Sequence, residues 1–191
     1  MRWQCIVCES RDLVELHDPG PQPLTTIRIP QTMAEAHSMP RLGMRHLICE
    51  ECGHIFNLQF SPKEVDYTQD WQMFNQGAAW DSHFEQMADE ILTHTNLPHC
   101  STVLEIGSGD GAFLREMIQY PLGNGLWYRG VDPGVNMEAA EAVNEDLNII
   151  IRKEYADCQK EIDDHQPGLI ILRHVLEHFP KPSKFLDELR A

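Results

Sequence analysis

Residues 103–111 read Val-Leu-Glu-Ile-Gly-Ser-Gly-Asp-Gly, an apolar strand that runs into a turn with glycine at every second position. Such a turn lets a ligand lie against bare backbone, with the N–H groups of the next helix's first turn facing it. Gly107, Gly109 and Gly111 supply the turn, with Ser108 among them, and Ala112-Phe113-Leu114 with Met117-Ile118 supply an apolar helix face to pack on a sheet. Two carboxylates flank this turn. Glu105 lies two residues before Gly107, where a carboxylate can act on an ammonium, directly or through the loop. Asp132, with Pro133 behind it, closes the segment Trp127-Tyr128-Arg129-Gly130-Val131-Asp132, where a carboxylate can accept both hydroxyls of a ribose.

The glycines alone fit two cofactor classes, because Gly107, Gly109 and Ala112 also satisfy the dinucleotide pattern Gly-x-Gly-x-x-Gly/Ala. Glu105 favours the methionine moiety of S-adenosylmethionine, whose ammonium it attracts, over a pyrophosphate, which it repels. Asp132 supports a nucleoside without choosing between the two. The third feature is Arg173-His174-Val175-Leu176-Glu177-His178, after a further buried strand from Leu169 to Leu172. With these segments the chain resembles the class I S-adenosylmethionine-dependent methyltransferases, in Glu105 to Gly111 for their first motif and in His174 to His178 for their fourth-strand segment. The resemblance implies a cofactor site made by Glu105, Gly107, Ser108, Gly109, Gly111, Asp132, Pro133 and His174.

Four of the six cysteines are paired by spacing, Cys5-x-x-Cys8 and Cys49-x-x-Cys52-Gly53. Two such knuckles can place four thiolates at the corners of a tetrahedron around Zn²⁺. With four protein ligands the metal has no open position, so its expected role is to fold the segment. Gly53 lets backbone N–H groups turn toward the sulfur, whereas the first knuckle has Glu9 at the corresponding place. His17, His37, His46 and His54 read as surface residues before they read as substitute ligands. Cys100 and Cys158 have no partner at ligand spacing and read as buried or half-buried thiols.

A net charge of −15 argues against a nucleic-acid groove or an anionic membrane surface as partner. No run of about 18 apolar residues exists, and the start Met1-Arg2-Trp3-Gln4-Cys5 lacks a signal-peptide core, so the chain reads as cytoplasmic with its thiols mostly reduced. At 191 residues it holds one ordinary domain or two small ones.

The elements that must position these residues follow in order. Residues 1–62 read as a zinc-binding domain, with Leu16 to Ala36 an irregular loop and with Met44 to Ile48 and His54 to Leu58 the strands of a zinc-ribbon hairpin. Residues 63–99 read as a helical bridge, with a helix from Asp81 or Ser82 to about Thr95. That helix carries Trp80, Phe84, Met87, Ala88, Ile91 and Leu92 on one face. Residues 100–191 alternate strand and helix: Thr102 to Ile106, Gly111 to Gln119, Leu126 to Asp132, Asn136 to Leu147, Asn148 to Arg152, an irregular or helical stretch, Leu169 to Leu172, and Pro180 to Arg190. The fold class is α/β, a Rossmann-like sheet with right-handed crossovers and strand order 3-2-1-4.

A second resemblance spans nearly the whole chain. Two cysteine knuckles, then Trp80-Asp81-Ser82-His83 opening a helix, then the methyltransferase motifs, resemble the zinc-containing sugar C-methyltransferases that act on nucleotide-linked deoxysugars. Leu16 to Leu24 and Asp66-Tyr67 resemble further segments of those enzymes. This resemblance implies a nucleotide sugar or similar small molecule as substrate, with Tyr67 and His178 facing it. A carbon nucleophile needs a base, a task suited to histidine. The chain stops in the helix after strand four, where such enzymes continue, so a truncated sheet is expected. Either the chain is a truncated product, or a second copy or another partner chain completes the sheet at the open edge. Two competing readings are a non-catalytic zinc and cofactor scaffold, and an NAD-dependent reductase.

Overall fold

The computed structural model describes residues 3–24, 30–65, 67–68, 77–138 and 148–190. The chain forms two compact units, Met1–Asp66 with Glu177–Ala191, and Tyr67–Leu176. This division differs from the boundaries expected after residues 62 and 99. The long helix belongs to the second unit and shares its core, and the chain's last helix belongs to the first.

In the first unit β1 (Leu13–His17), β4 (His46–Cys49) and β5 (Ile55–Asn57) form an antiparallel sheet in the order β1-β4-β5. The pairing of Leu47 with Phe56 and of Ile48 with Ile55 is the expected hairpin. Leu47, Cys49 and Phe56 turn inward to join Cys5 in a small core, with Ile6, Leu13 and Leu58 packed against it. The stretch from Leu16 to Ala36 is more ordered than an irregular loop, although residues 25–29 lie outside those described. It contains the end of β1, the strand β2 (Gln22–Pro23), which pairs with β3 (Arg41–Leu42), and the helix α1 (Met33–Ser38). Thr32 caps α1 by accepting from the Glu35 N–H, while the Glu35 carboxylate accepts from the Gln31 N–H. These two side-chain bonds are local and outweigh the proline and glycine content around them.

The second unit opens with α2 (Ala78–His94), which starts at Gly77 rather than at Asp81 or Ser82. It is followed by β6 (Thr102–Ile106), α3 (Ala112–Ile118), β7 (Trp127–Val131), β8 (Ile149–Arg152), α4 (Cys158–His165) and β9 (Leu169–Leu172). The four strands are parallel in the order β8-β7-β6-β9, the expected 3-2-1-4. Side chains alternate across a sheet, and the register aligns Val103 with Tyr128 and Leu169, and Tyr128 with Ile149. These residues form the core of the unit with Ile151 and Ile171, against Ala88 and Leu92 of α2 and Phe113, Leu114 and Met117 of α3. All four strands end on one side, so the segments after β6, β7, β8 and β9 line one edge of the sheet.

The stretch after β8 contains α4, whose start is capped by the Asp157 side chain accepting from the Lys160 N–H. Most of the expected helix from Asn136 to Leu147 falls on residues 139–147, outside those described. After β9 the backbone makes a 3₁₀ turn, Leu176–His178, and then α5 (Pro182–Arg190), with proline at a first-turn position where its missing N–H is harmless. No helix among the described residues is long and apolar enough to cross a membrane.

Candidate functional site

The turn after β6 is built as its glycines require, but they serve two purposes. Gly107, Gly109 and Gly111 all have positive φ, of 77°, 54° and 83°. A Cβ at Gly107 would overlap the side chain of Val175, and one at Gly111 would overlap Ile151, so these two glycines let neighbouring side chains close onto the turn. A Cβ at Gly109 would meet nothing within 4 Å. The bare backbone expected for a ligand is therefore at Gly109.

Several of the turn's N–H groups bond within the fold. Gly107 and Ser108 donate to the Val131 carbonyl, at 2.8 and 3.4 Å, and Gly111 donates to the Ser108 carbonyl at 3.0 Å. Gly109 donates to Asp132 Oδ2 and Ala112 to Asp110 Oδ1, both at 3.0 Å. Ser108 itself is buried, and its hydroxyl packs over Gly130, so its side chain turns inward. A pyrophosphate needs such amides as donors. Here those of Gly107, Ser108, Gly109, Gly111 and Ala112 are spent within the fold.

Acceptors remain. Asp132 takes the Gly109 N–H on one oxygen and the Gly134 N–H on the other, at 2.7 Å, which brackets Pro133 in a tight turn. Each carboxylate oxygen can accept a further hydrogen bond.

Glu105, at the end of β6, is fully buried. Its Oε1 receives Arg173 Nε and Nη2, both at 2.7 Å, while Oε2 is buried without a hydrogen-bond partner among the described residues. Burial pushes the Glu105 carboxyl up to about 7 against the pull of Arg173, and Asp132 and Asp110 add to the rise. The Arg173 guanidinium lies over two aromatic rings, 4.0 Å from the Phe113 centroid and 4.7 Å from that of Phe84.

Around this pair stands an aromatic group. Phe84 meets Phe113 edge-on at 5.2 Å, Trp80 lies 5.2 Å from Phe84, and the rings of His83 and His174 lie 5.4 and 6.1 Å from Trp80. Trp80 thus joins this group at the start of α2. His174 is exposed and held at φ 53°, a left-handed conformation unusual for a residue with a side chain. Tyr67 is half-buried in the second unit, and its neighbour Asp66 is outside the described residues. His178 is exposed at the end of the 3₁₀ turn and belongs to the first unit. Arg173, Phe84 and Phe113 were not assigned to the site from the sequence. The signal for Arg173 was a cation closing an otherwise apolar strand.

The second site is in the first unit. The sulfurs of Cys5, Cys8, Cys49 and Cys52 lie within 4.8 Å of one another, with no histidine in the group. Cys5 and Cys52 are 3.6 Å apart and Cys8 and Cys49 3.5 Å. The two knuckles repeat one backbone pattern. Cys5 N–H donates to the Ser10 carbonyl and Cys49 N–H to that of His54, while Glu9 N–H donates back to Cys5 and Gly53 N–H back to Cys49. Glu9 adopts φ 60° where Gly53 has 74°, so the first knuckle keeps its geometry without the glycine. Desolvation works against ionisation of Cys49, but the N–H groups of Cys52 and Glu51 outweigh it and hold the thiol at about 7. At Cys8 the Ser10 backbone favours the thiolate, yet desolvation and the three neighbouring sulfurs push it up to about 12. Four sulfurs at this separation suit a divalent cation that takes up their shared negative charge. Of the remaining cysteines, Cys158 is buried, as expected, and Cys100 is exposed, with its sulfur 2.9 Å from His99 Nδ1.

Residues 78–191, from α2 through the glycine turn to α5, match the family described as "Methyltransferase domain". Two solved structures are similar over 56% of this chain. One is the plantazolicin methyltransferase BpumL in complex with SAH, at 22% identity and a TM-score of 0.38. The other is a methyltransferase of Anabaena variabilis described as from an antibiotic biosynthesis pathway, at 17% identity and a TM-score of 0.32. The matched parts span 40% and 55% of those chains. Among curated proteins no sequence matches the chain. The family match covers more than half of the residues and includes the whole parallel sheet, so the chain belongs to the methyltransferase domain family, with a class I, Rossmann-like sheet.

Proposed function

We propose that the second unit binds S-adenosylmethionine and that the protein transfers its methyl group to a small molecule. The observation that carries this reading is the acceptor left on Glu105: a buried carboxylate oxygen without a hydrogen-bond partner among the described residues, at the strand end that leads into the glycine turn. An ammonium satisfies such an oxygen, and a phosphate does not. The open space over Gly109 and the remaining lone pairs of Asp132 fit a nucleoside. When bound, the cofactor supplies a sulfonium methyl group for in-line displacement.

The chain's own residues then have three tasks. Glu105 holds the ammonium, Asp132 the ribose hydroxyls, and His174 with Pro133 borders the same pocket. Alignment of nucleophile and methyl group accounts for much of such a rate enhancement. The resemblance to sugar C-methyltransferases assigns a nucleotide-linked sugar as the substrate class, with His178 as base at the acceptor carbon and Tyr67 positioning the substrate. The four-cysteine cluster binds Zn²⁺ as a closed structural site that ties the knuckles of the first unit together.

Isothermal calorimetry tests the cofactor assignment, with S-adenosylhomocysteine as titrant and NADH as control. Binding of the adenosyl ligand alone supports it. Binding of NADH, or of neither ligand by folded protein, overturns it.

A further inference from the structure

Arg173 is tied to Glu105 in an unusual way. A guanidinium commonly meets a carboxylate fork to fork, one donor to each oxygen. Here Nε and Nη2 both converge on Oε1, and Oε2 has no hydrogen-bond partner among the described residues. The planar fork has five N–H donors, and this contact engages only its Nε–Nη2 edge. Phe84 and Phe113 pack against it, with ring centroids 4.7 and 4.0 Å from Cζ, and its N–H groups donate in the plane of the fork. The group is thus fixed in orientation before any ligand arrives.

Its position in the sheet gives that orientation a use. Ile106 pairs with Leu172 in the parallel register, so Gly107 and Arg173 are the next residues on two adjacent strands. They stand where the chain turns away on either side of β6, the place at which ligands enter open parallel sheets.

Charge balance completes the case. Glu105 pairs with Arg173 and Asp110 with Arg115, while Asp132 has no ion pair among the described residues. An ammonium and a sulfonium without a carboxylate would bring two positive charges to one negative charge. The complete amino-acid end, with its carboxylate, brings one.

Resting on the cofactor reading above, we infer that Arg173 is a specificity-determining residue that binds the α-carboxylate of the cofactor's amino-acid end. Glu105 and Arg173 then recognise the zwitterion jointly. Each presents one side of an existing ion pair, and neither needs to break that pair to do so.

The test is calorimetric titration of the full chain with three ligands: S-adenosylhomocysteine, its decarboxylated analogue, and 5′-methylthioadenosine, which lacks both charged groups. Wild type should prefer S-adenosylhomocysteine over the decarboxylated analogue by about tenfold or more, the scale of losing one partner of a buried charge pair. Arg173→Gln should reduce that preference to about threefold or less and leave 5′-methylthioadenosine affinity unchanged. Arg173→Lys, which keeps the charge but not the fork, should fall between. Equal wild-type affinity for the first two ligands overturns the inference and needs no variant. A variant that retains the full preference also overturns it. Wild type that binds none of the three overturns the cofactor reading itself, and the inference with it.

Discussion

Asp132 accepts the backbone N–H of Gly109 at 3.0 Å, so the carboxylate that ends one strand of the sheet holds the turn that follows the strand beside it. The same carboxylate accepts from Gly134 at 2.7 Å. Replacing it with asparagine keeps one acceptor oxygen and turns an amide donor toward the other N–H. Hydrogen bonds to a charged group contribute about 1.5–3 kcal/mol. Asp132→Asn should therefore lower the melting temperature and the affinity for S-adenosylhomocysteine together. A variant that loses affinity with an unchanged melt would show that Asp132 serves the ligand alone.

Gly107 and Gly109 should respond differently to alanine. Gly107→Ala meets Val175 as well as an unfavourable φ, so it should destabilise the unit by more than the roughly 1–2 kcal/mol of a left-handed residue. Gly109→Ala incurs only the backbone term but fills the open space over the turn. Thermal melts paired with ligand titration should separate a mainly structural defect in the first from a mainly binding defect in the second.

Glu105 makes both stability and binding depend on pH. Its carboxyl is raised from 4.5 to about 7, first by burial, so between those values the folded state holds a proton that the unfolded chain has released. Its contribution to stability is complete below about pH 4.5 and is lost as pH rises toward 7. An ammonium prefers the ionised carboxylate, so cofactor affinity should rise across the same range and level off above about 7. Glu105→Gln should flatten both dependences. Affinity that falls on going from pH 6 to pH 8 in wild type would contradict this assignment.

Zinc should bind one ion per chain and release protons as it does so, because thiols such as Cys8, held up to about 12, must ionise to become ligands. Cys49→Ser, or treatment with a strong chelator, should abolish stoichiometric zinc and loosen the core of Leu47 and Phe56 around it. Metal analysis with near-ultraviolet circular dichroism reads both effects. A variant that keeps its zinc would exclude Cys49 as a ligand.

His178→Gln and Tyr67→Phe should retain S-adenosylhomocysteine binding within about threefold and lose turnover, His178→Gln by about 10²-fold or more, the usual scale for a general base. Equal loss of binding and turnover would make them structural residues.

Much of the fold was legible in the residues. A glycine turn after an apolar strand, strands alternating with helices, and paired cysteines all report local requirements, and those requirements set the strand order and the four-sulfur cluster. The helix at Met33 was not expected because its signal is one threonine cap among prolines. The ordered stretch around it illustrates how little sequence a short helix needs. Within the site, local pattern identified Glu105 and Asp132 as carboxylates at strand ends, yet it gave no account of what each one faces.

The sequence by itself determined which residues are free to adopt left-handed turns, which faces are apolar, and where thiols and carboxylates recur. Only the tertiary structure decided that the Gly107, Ser108 and Gly109 amides go to Val131 and Asp132, that Arg173 pairs with one oxygen of Glu105, and that Glu9 can stand where a glycine was expected. The physical reason is separation along the chain. Backbone preference and periodicity are properties of neighbouring residues, whereas Glu105 and Arg173 are 68 positions apart and meet only because two parallel strands run in register.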